Sequence, residues 1–280
     1  MLSVSMLSSY EYCKRKLFLN YVLGIREPFK KSTSLGTIRH ETYDGINKIE
    51  EELIRSIKSF IPKEDLLDVY RARYREILAN VIRSNKKPLE ELGLNLGEVF
   101  KQVWPLILEE SETRVKSLFK FIQMHKIYGD ELWNKLIPKI KSELRIESKE
   151  LNLKGIIDQL EVYPSGIVPI ELKTGSMPRE GVWPGHKVQI AAYALLAEQH
   201  FDKEIKECFV HYLDQRERRH IPMNPFLRDE IKERIENVEI LLNSRNIPEK
   251  VMNQNKCVSC GVKEQCYNEK LLEKQLKNLC

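Results

Sequence analysis

Long apolar runs, glycine and proline are all scarce in this chain. No apolar run reaches the roughly 18 residues that a membrane-spanning helix needs, and the first twelve residues lack a basic segment followed by an apolar stretch. Glycine and proline contribute 12 residues each to a chain of 280, which excludes collagen-like and low-complexity proteins. These absences predict a soluble cytoplasmic protein without a membrane partner. The 42% of apolar residues suffices for a folded core of about one or two domains.

A phosphate-binding loop of the Gly-x4-Gly-Lys-Ser/Thr type is also absent, so the chain carries no P-loop motor and is not itself a helicase. Lysine and arginine number 46 against 41 aspartates and glutamates, which gives a modest net charge of +5. The basic residues are clustered at residues 14–16, 71–75, 86–87 and 216–219. Each cluster alone is typical of a solvated surface, but several together suit a nucleic acid backbone when a phosphodiesterase-like site accompanies them.

The spacing of apolar residues is helical in the first half of the chain and strand-like in parts of the second half. Helical spacing covers residues 3–23 and 46–141, and Pro62, Pro88, Pro105 and Pro138 are predicted to divide the second stretch into several helices. The remaining elements are predicted as strands at 143–148, 153–163, 167–174 and 208–214 and helices at 186–199 and 225–245. This order predicts an α/β core that follows a large helical insertion.

Four regions follow from this pattern. We predict an N-terminal helix and motif region at residues 1–45, a helical insertion at 46–142, a core at 143–250, and a cysteine-containing C-terminal region at 251–280.

Two carboxylates and a lysine are predicted to meet on neighbouring strands. Glu171 and Lys173 are two residues apart, so they project from the same face of their strand. Asp158 lies on the preceding predicted strand, which a short turn joins to this one. Adjacent carboxylates repel unless a cation lies between them, and oxygen ligands suit Mg²⁺ or Mn²⁺. A surface salt-bridge ladder is the alternative, but the apolar neighbours of Glu171 favour a buried strand.

Gln189 and Tyr193 are four residues apart on the next predicted helix, so they share one face of it. Their polar groups could hydrogen-bond a substrate or a catalytic group. By itself such a pair is also typical of an ordinary helix face.

Three motifs follow one another in the second half of the chain: Gly155-x-x-Asp158, Glu171-Leu172-Lys173-Thr174-Gly175 and Gln189-x-x-x-Tyr193. This order resembles the RecB-type branch of the PD-(D/E)XK nucleases, and Gly36-x-x-x-His40 matches that family's upstream motif. The resemblance implies a restriction-endonuclease-like core, which is a mixed sheet flanked by helices.

The resemblance also implies roles for individual residues. The residues implied as ligands of a catalytic Mn²⁺ or Mg²⁺ are His40, Asp158, Glu171 and Leu172, the last through its backbone carbonyl. Lys173 is implied to assist the attacking water. Gln189 and Tyr193 complete the catalytic set, and Glu143 has a supporting position at the start of the first predicted strand.

Three of the six cysteines fall within ten residues, in the pattern Cys257-x-x-Cys260-x5-Cys266. In a reducing cytoplasm, clustered cysteines more often bind metal than form disulfides. Three thiolates need a fourth ligand, and both zinc and a 4Fe–4S cluster accept four cysteines. The spacing alone does not distinguish zinc from a 4Fe–4S cluster, and zinc is the default assignment.

The layout of the cysteines extends the resemblance. An N-terminal cysteine followed by basic residues, with three more after the core, is similar to the iron–sulfur exonucleases of the fourth CRISPR-associated protein family. This implies a 4Fe–4S cluster that joins the N- and C-terminal regions, with Cys13, Cys257, Cys260 and Cys266 as its ligands. Cys208 is expected to be a core residue. Cys280 is expected to be a free thiol. The alternative is that Cys280 takes the place of Cys13 as the fourth ligand.

The resemblance implies a metal-dependent exonuclease that acts on single-stranded DNA, or on DNA with single-stranded ends. It further implies a role in CRISPR adaptation, where DNA is processed before spacer integration, with the integrase complex as a partner. One alternative is a DNA repair nuclease unconnected to CRISPR. Another is a non-catalytic nucleic-acid-binding module with a zinc site, although the intact Asp158, Glu171 and Lys173 argue against it. Residues 183–186, which precede the catalytic helix, are the best candidate for a loop that contacts the substrate.

Overall fold

The structure is a computed structural model that describes residues 1–277, so the prediction for Cys280 lies outside the described residues. The chain forms two compact units. The sheet unit contains Met1–Pro28, Leu144–Leu160 and the described residues from Pro164 onward, and the helical unit contains Phe29–Glu143 and Glu161–Tyr163. The division into four regions remains a prediction. Within residues 1–277, no helix is both long enough and apolar enough to cross a membrane.

The helices and strands follow each other in this order: β1 (Leu2–Ser3), α1 (Val4–Tyr12), α2 (Lys14–Tyr21), α3 (Lys31–Ser56), α4 (Lys63–Ser84), α5 (Lys86–Glu91), α6 (Leu96–His125), α7 (Gly129–Lys135), β2 (Lys139–Ser148), β3 (Leu153–Tyr163), β4 (Gly166–Lys173), α8 (Pro184–Phe201), β5 (Glu207–Tyr212), β6 (Glu217–Pro222), α9 (Pro225–Asn243), α10 (Asn255–Val258), α11 (Lys263–Tyr267) and α12 (Glu269–Lys277).

The strands form one mixed sheet in the order β1-β3-β4-β5-β6, and β2 also pairs with β3. β1 runs parallel to β3, and β4 runs parallel to β5, whereas β5 and β6 are antiparallel. Helix α8 packs on β4 and β5, and α1 and α9 pack on α8. Because α8 packs against both the sheet and these helices, its middle part is buried. The predicted mixed sheet flanked by helices is therefore confirmed.

Two strands were not apparent in the sequence. β6 has the sequence Glu-Arg-Arg-His-Ile-Pro and carries most of the basic cluster at residues 216–219. Charged residues are common on edge strands because they oppose pairing with other chains, so hydrophobic alternation does not reveal this strand. β1 is only two residues long and is defined by its pairing with Leu153 and Lys154.

The helical stretch predicted at residues 3–23 is interrupted at Cys13. The backbone of Cys13 is extended, with φ −165° and ψ 109°, so α1 ends there and α2 begins at the next residue. The Cys13 sulfur accepts a hydrogen bond from the backbone N–H of Lys16 and acts as the N-terminal cap of α2. The break therefore gives Cys13 a position at the end of a helix.

In the helical unit, Pro105 does not end a helix as predicted. It lies inside α6, which continues to His125. Proline removes one hydrogen bond from the helix and usually bends it. Here Lys101, whose carbonyl loses its helical partner, is exposed and can be hydrated. The buried face of α6, which includes Val103 and Ile107, packs along α4 and holds the helix together.

Pro62 and Pro138 lie outside helices, as predicted, whereas Pro88 lies within the short helix α5. The helical spacing predicted from residue 46 onward is interrupted before Phe60. α3 stops at Ser56, and Phe60 is 61% exposed. The backbone of Ile57 leaves the helical conformation, with φ −76° and ψ 89°, so the helix does not continue towards Phe60.

Candidate active site

Three side chains of the sheet unit are linked in a closed group by two hydrogen bonds and one ion pair. Lys173 Nζ lies 2.7 Å from Oε1 of Glu171 and donates to Oε1 of Gln189 at 2.9 Å. Gln189 Nε2 in turn donates to Oε1 of Glu171 at 2.7 Å. Glu171 is only 2% exposed, and Lys173 is 20% exposed at its side chain. The surface salt-bridge ladder considered for this strand therefore does not describe Glu171, which is a buried carboxylate that accepts from Gln189 and forms an ion pair with Lys173.

Asp158 lies against the same strand. Its Oδ2 accepts a hydrogen bond from the backbone N–H of Leu172 at 2.8 Å. The N–H and C=O of one strand residue point to the same side of the strand, so the carbonyl of Leu172 faces the side on which Asp158 lies. The carbonyl of Lys173 points the other way and accepts from Leu213 N at 2.8 Å.

Tyr193 lies one helical turn after Gln189, beside the two carboxylates. Burial raises the pKa of its phenol, and the negative charges of Glu171 and Asp158 raise it further. Tyr193 is therefore a neutral hydroxyl at every physiological pH. The structure thus brings together Asp158, Glu171, Lys173, Gln189 and Tyr193, while their chemical roles remain predictions.

His40 and Glu143 belong to the helical unit, unlike the five residues above. His40 lies on α3 and is partly buried. Glu143 lies in the middle of β2 rather than at its start, and its φ of 50° is unusual for a residue other than glycine. Their predicted roles at the metal continue to rest on the sequence motifs.

A histidine and a tyrosine beside Lys173 were not predicted as a pair. Nδ1 of His186, in the first turn of α8, lies 3.0 Å from the hydroxyl of Tyr212, which also accepts from Trp183 N at 3.3 Å. Burial and the nearby positive charge of Lys173 lower the pKa of His186 to about 4. His186 is thus neutral near pH 7, and it adds no charge to the site.

The register of the β4–β5 strand pair is what brings Tyr212 next to Lys173, and with it the His186–Tyr212 pair. Tyr212 pairs with Lys173 in the parallel β4–β5 ladder, and His186 begins the helix that packs on these strands. Residues 183–186 are singled out in the sequence as a candidate substrate loop, but the pairing with Tyr212 follows only from the order of the strands.

The four clustered cysteines line one cavity of the sheet unit: Cys13, Cys257, Cys260 and Cys266. Burial raises the pKa of the Cys13 thiol, and the proximity of Cys266 and Cys260 contributes to this shift. Arg15 donates from Nε to the Cys266 sulfur at 3.2 Å and from Nη2 to the Cys266 carbonyl at 3.1 Å. The wall of the cavity also contains several lysines, so negative charge on the sulfurs would be offset.

The N-terminal helices and the C-terminal segment are joined by other contacts as well. Tyr12 and Lys256 exchange two hydrogen bonds of 2.8 Å, each between a side chain and the partner's carbonyl. Phe18 and Leu19 of α2 form an apolar cluster with Val262 and Leu272. Any group held by the cysteines would therefore reinforce an interface that already exists.

Cys208 is fully buried on β5, as expected for a core residue. Burial raises the pKa of its thiol to about 12, so it stays protonated and is a poor metal ligand.

Comparison with known proteins gives a match over most of the chain. The family model described as the PD-(D/E)XK nuclease superfamily matches residues 1–267. The CRISPR-associated exonuclease Cas4 of Francisella tularensis subsp. novicida (strain U112) is 30% identical over 117 residues, which cover 42% of this chain and 57% of that protein.

Two further relatives are each named as a CRISPR-associated exonuclease Cas4/endonuclease Cas1 fusion. The protein of Myxococcus xanthus (strain DK1622) is 29% identical over 131 residues, 45% of this chain and 23% of its own length. That of Leptospira interrogans serogroup Icterohaemorrhagiae serovar Lai (strain 56601) is 28% identical over 151 residues, 50% of this chain and 28% of its own length. This chain covers less than two thirds of each of the three relatives.

Proposed function

Because the chain belongs to the PD-(D/E)XK nuclease superfamily, we propose that it is a divalent-metal-dependent DNA exonuclease that acts on single-stranded DNA or on single-stranded ends. The observation that carries this proposal is the linked group of Glu171, Lys173 and Gln189 beside Asp158, in which Glu171 is buried. Its carboxylates and ammonium group have the charges that metal-assisted hydrolysis of a phosphodiester requires.

The donor atoms fit a hard divalent cation. Asp158 and Glu171 offer carboxylate oxygens, and the Leu172 carbonyl faces the same side as Asp158, so this set suits Mg²⁺ or Mn²⁺. His40 would add an imidazole, which Mn²⁺ accepts more readily than Mg²⁺. A metal bound there would polarise the scissile phosphate and lower the pKa of a coordinated water.

The chain's own residues have separate tasks in this proposal. Lys173 is partly exposed, so its ammonium group can orient the attacking water and stabilise negative charge on the phosphate. Gln189 fixes the positions of Lys173 and Glu171 by bonding to both. Since His186 is neutral near pH 7, Lys173 remains the positive charge of this group. Tyr193 lies near both carboxylates as a neutral hydroxyl.

We assign this activity to CRISPR adaptation, in which DNA is processed before spacer integration. Its support is the similarity to relatives named as CRISPR-associated exonucleases, two of which are fusions with an endonuclease Cas1. An integrase complex is the corresponding partner. The gene neighbourhood separates this assignment from a repair nuclease unconnected to CRISPR.

For the cysteine cavity we propose a 4Fe–4S cluster held by Cys13, Cys257, Cys260 and Cys266. A negatively charged cluster is supported by three observations. Four thiols line one cavity, two of the sulfurs accept a hydrogen bond from an N–H group, and the cavity wall is basic. Zinc remains the alternative with the same ligands. The cluster would have a structural role because Cys13 lies more than 240 residues before the other three ligands, so the cluster would join the two terminal segments.

A cleavage assay tests the nuclease proposal. End-labelled single- and double-stranded DNA is incubated with Mn²⁺, with Mg²⁺ and with a chelator. We expect metal-dependent shortening from an end, and loss of cleavage in Glu171→Gln. Glu230→Gln, which removes a partly exposed carboxylate paired with Lys187, is the matched control and should cleave normally. Full activity of Glu171→Gln, or activity in chelator, would overturn the proposal.

A further inference from the structure

The helical unit contains a cavity of about 340 Å³, a size within the range of roughly 300–1,000 Å³ that is typical of small-ligand sites. Its walls are mainly apolar and include the rings of Phe121 and Trp133 and the side chains of Ile54 and Leu118. Lys139 Nζ lies 4.2 Å from the centre of the Trp133 ring, which holds that ring in place. Ser117 of α6, which is exposed, also lines the cavity.

One polar wall residue is buried with an unsatisfied donor. Asn47 is only 8% exposed, and its Oδ1 accepts from Nη2 of Arg114 at 2.7 Å. Arginine can only donate, so the amide oxygen must face Arg114, and the orientation of the amide is fixed. The Nδ2 group of Asn47 has no acceptor within reach in the described residues. An unsatisfied buried donor is costly, so a ligand that offers an acceptor would be favoured here.

Arg114 itself is not available to a ligand. Its Nε donates to Glu110 at 2.6 Å, and its Nη1 donates to Glu50 at 2.9 Å. The two carboxylates offset its charge, so Arg114 does not offer a free cation that would bind a phosphate. A purely aliphatic ligand would leave Asn47 Nδ2 without a partner. The wall chemistry therefore selects a neutral, flat group that carries a hydrogen-bond acceptor.

We propose that this cavity receives one unstacked nucleobase of the DNA, with Asn47 Nδ2 donating to a ring nitrogen or carbonyl oxygen of the base and Trp133 or Phe121 packing on its face. Every base offers such an acceptor and an aromatic face. The proposal rests on the proposed function, because DNA is the source of the base.

The test uses a series of short single-stranded oligonucleotides of one length, each lacking the base at a different single position. Binding is measured in chelator to prevent cleavage. For the wild-type protein we expect one position at which loss of the base lowers affinity about 5- to 150-fold, the contribution of one stacked base. Ser117→Trp, which fills the cavity, should abolish this difference. Ser84→Trp, at an exposed helical position outside the cavity, should keep it.

A second variant isolates the donor. Asn47→Asp keeps an acceptor for Arg114 and removes the Nδ2 donor, so it should reduce the same position-specific difference, with the unfolding midpoint as a check of folding. Salt-dependent DNA binding that is equal for every oligonucleotide of the series would overturn the cavity proposal and leave the proposed function intact. Absence of DNA binding by the wild-type protein would overturn both.

Discussion

The ring of Tyr193 lies directly against the backbone of Gly155. A Cβ atom at residue 155 would be 2.5 Å from Cε1 of Tyr193 and 3.0 Å from Cγ2 of Val4. No side chain fits in that space. Gly155 lies three residues before Asp158 on β3, and Tyr193 lies one turn after Gln189 on α8. This contact therefore sets the distance between the strand that carries Asp158 and the helix that carries Gln189.

Gly155→Ala should lower the free energy of unfolding by about 1–3 kcal/mol, because a methyl group is forced into a filled space. Removing the ring as well should relieve the clash. The double variant Gly155→Ala/Tyr193→Ala is therefore expected to lose less stability than the sum of the single variants, by at least about 0.5 kcal/mol. Denaturant unfolding measures all three. Gly166→Ala is the control, since no atom lies within 4 Å of a Cβ there, and additive effects at 155 and 193 would contradict this prediction.

Gln189→Met should reduce the rate of DNA cleavage less than Lys173→Met does. Gln189 positions Glu171 and Lys173 through two hydrogen bonds, whereas Lys173 supplies the charge. Loss of one such electrostatic contact commonly costs about 100- to 1,000-fold in rate, and this is the loss we expect for Lys173→Met. Single-turnover cleavage at saturating metal measures both variants. Gln102→Met, at an exposed position of α6, should match the wild type, and a larger loss for Gln189→Met than for Lys173→Met would contradict the assignment.

His186 should make the protein less stable as the pH falls from 6.5 towards 4. Burial and Lys173 lower the pKa of His186 from 6.5 to about 4 in the folded state. Between these values the unfolded chain binds a proton that the folded protein does not, so stability decreases as the pH falls. Other groups titrate in this range, and the comparison with His186→Gln isolates this one. The stability difference between wild type and variant should change across pH 4–6.5, and parallel curves would contradict the shift.

The cysteine variants should separate the proposed cluster from zinc. Protein purified without oxygen should be brown and contain iron and sulfide, whereas a zinc site is colourless because its d shell is filled. Cys257→Ser should lose the colour and unfold at lower temperature, because the link between the two ends of the chain is lost. Cys208→Ser, at a buried position on β5, should keep the colour.

Cys13 provides the decisive comparison for the ligand set. Cys13→Ser should lose iron, and Cys280→Ser should retain it. The reverse result would show that Cys280 is the fourth ligand. Zinc in the metal analysis of the wild type would replace the cluster proposal altogether.

The strands of the core could be predicted because their signals are local. The segments 153–163 and 167–174 combine apolar residues with a turn at Pro164, and they form β3 and β4 with nearly these bounds. Strand β6 could not be predicted, since it is charged and gains its structure from pairing with β5. The local prediction that Pro105 ends a helix is wrong for a similar reason. Packing against α4 keeps α6 continuous across Pro105.

The sequence by itself determined the order of the chemical groups: Asp158 on one strand, Glu171 and Lys173 on one face of the next, and Gln189 and Tyr193 one turn apart on a helix. These relations follow from the repeats of strand and helix, which depend on neighbouring residues only. Only the tertiary structure decided that Gln189 closes a ring with Glu171 and Lys173, that Tyr212 and His186 lie beside Lys173, and that Cys13 meets the distant cysteines. Such contacts depend on which strands pair and which helix covers them, and on side chains from distant parts of the chain sharing one space.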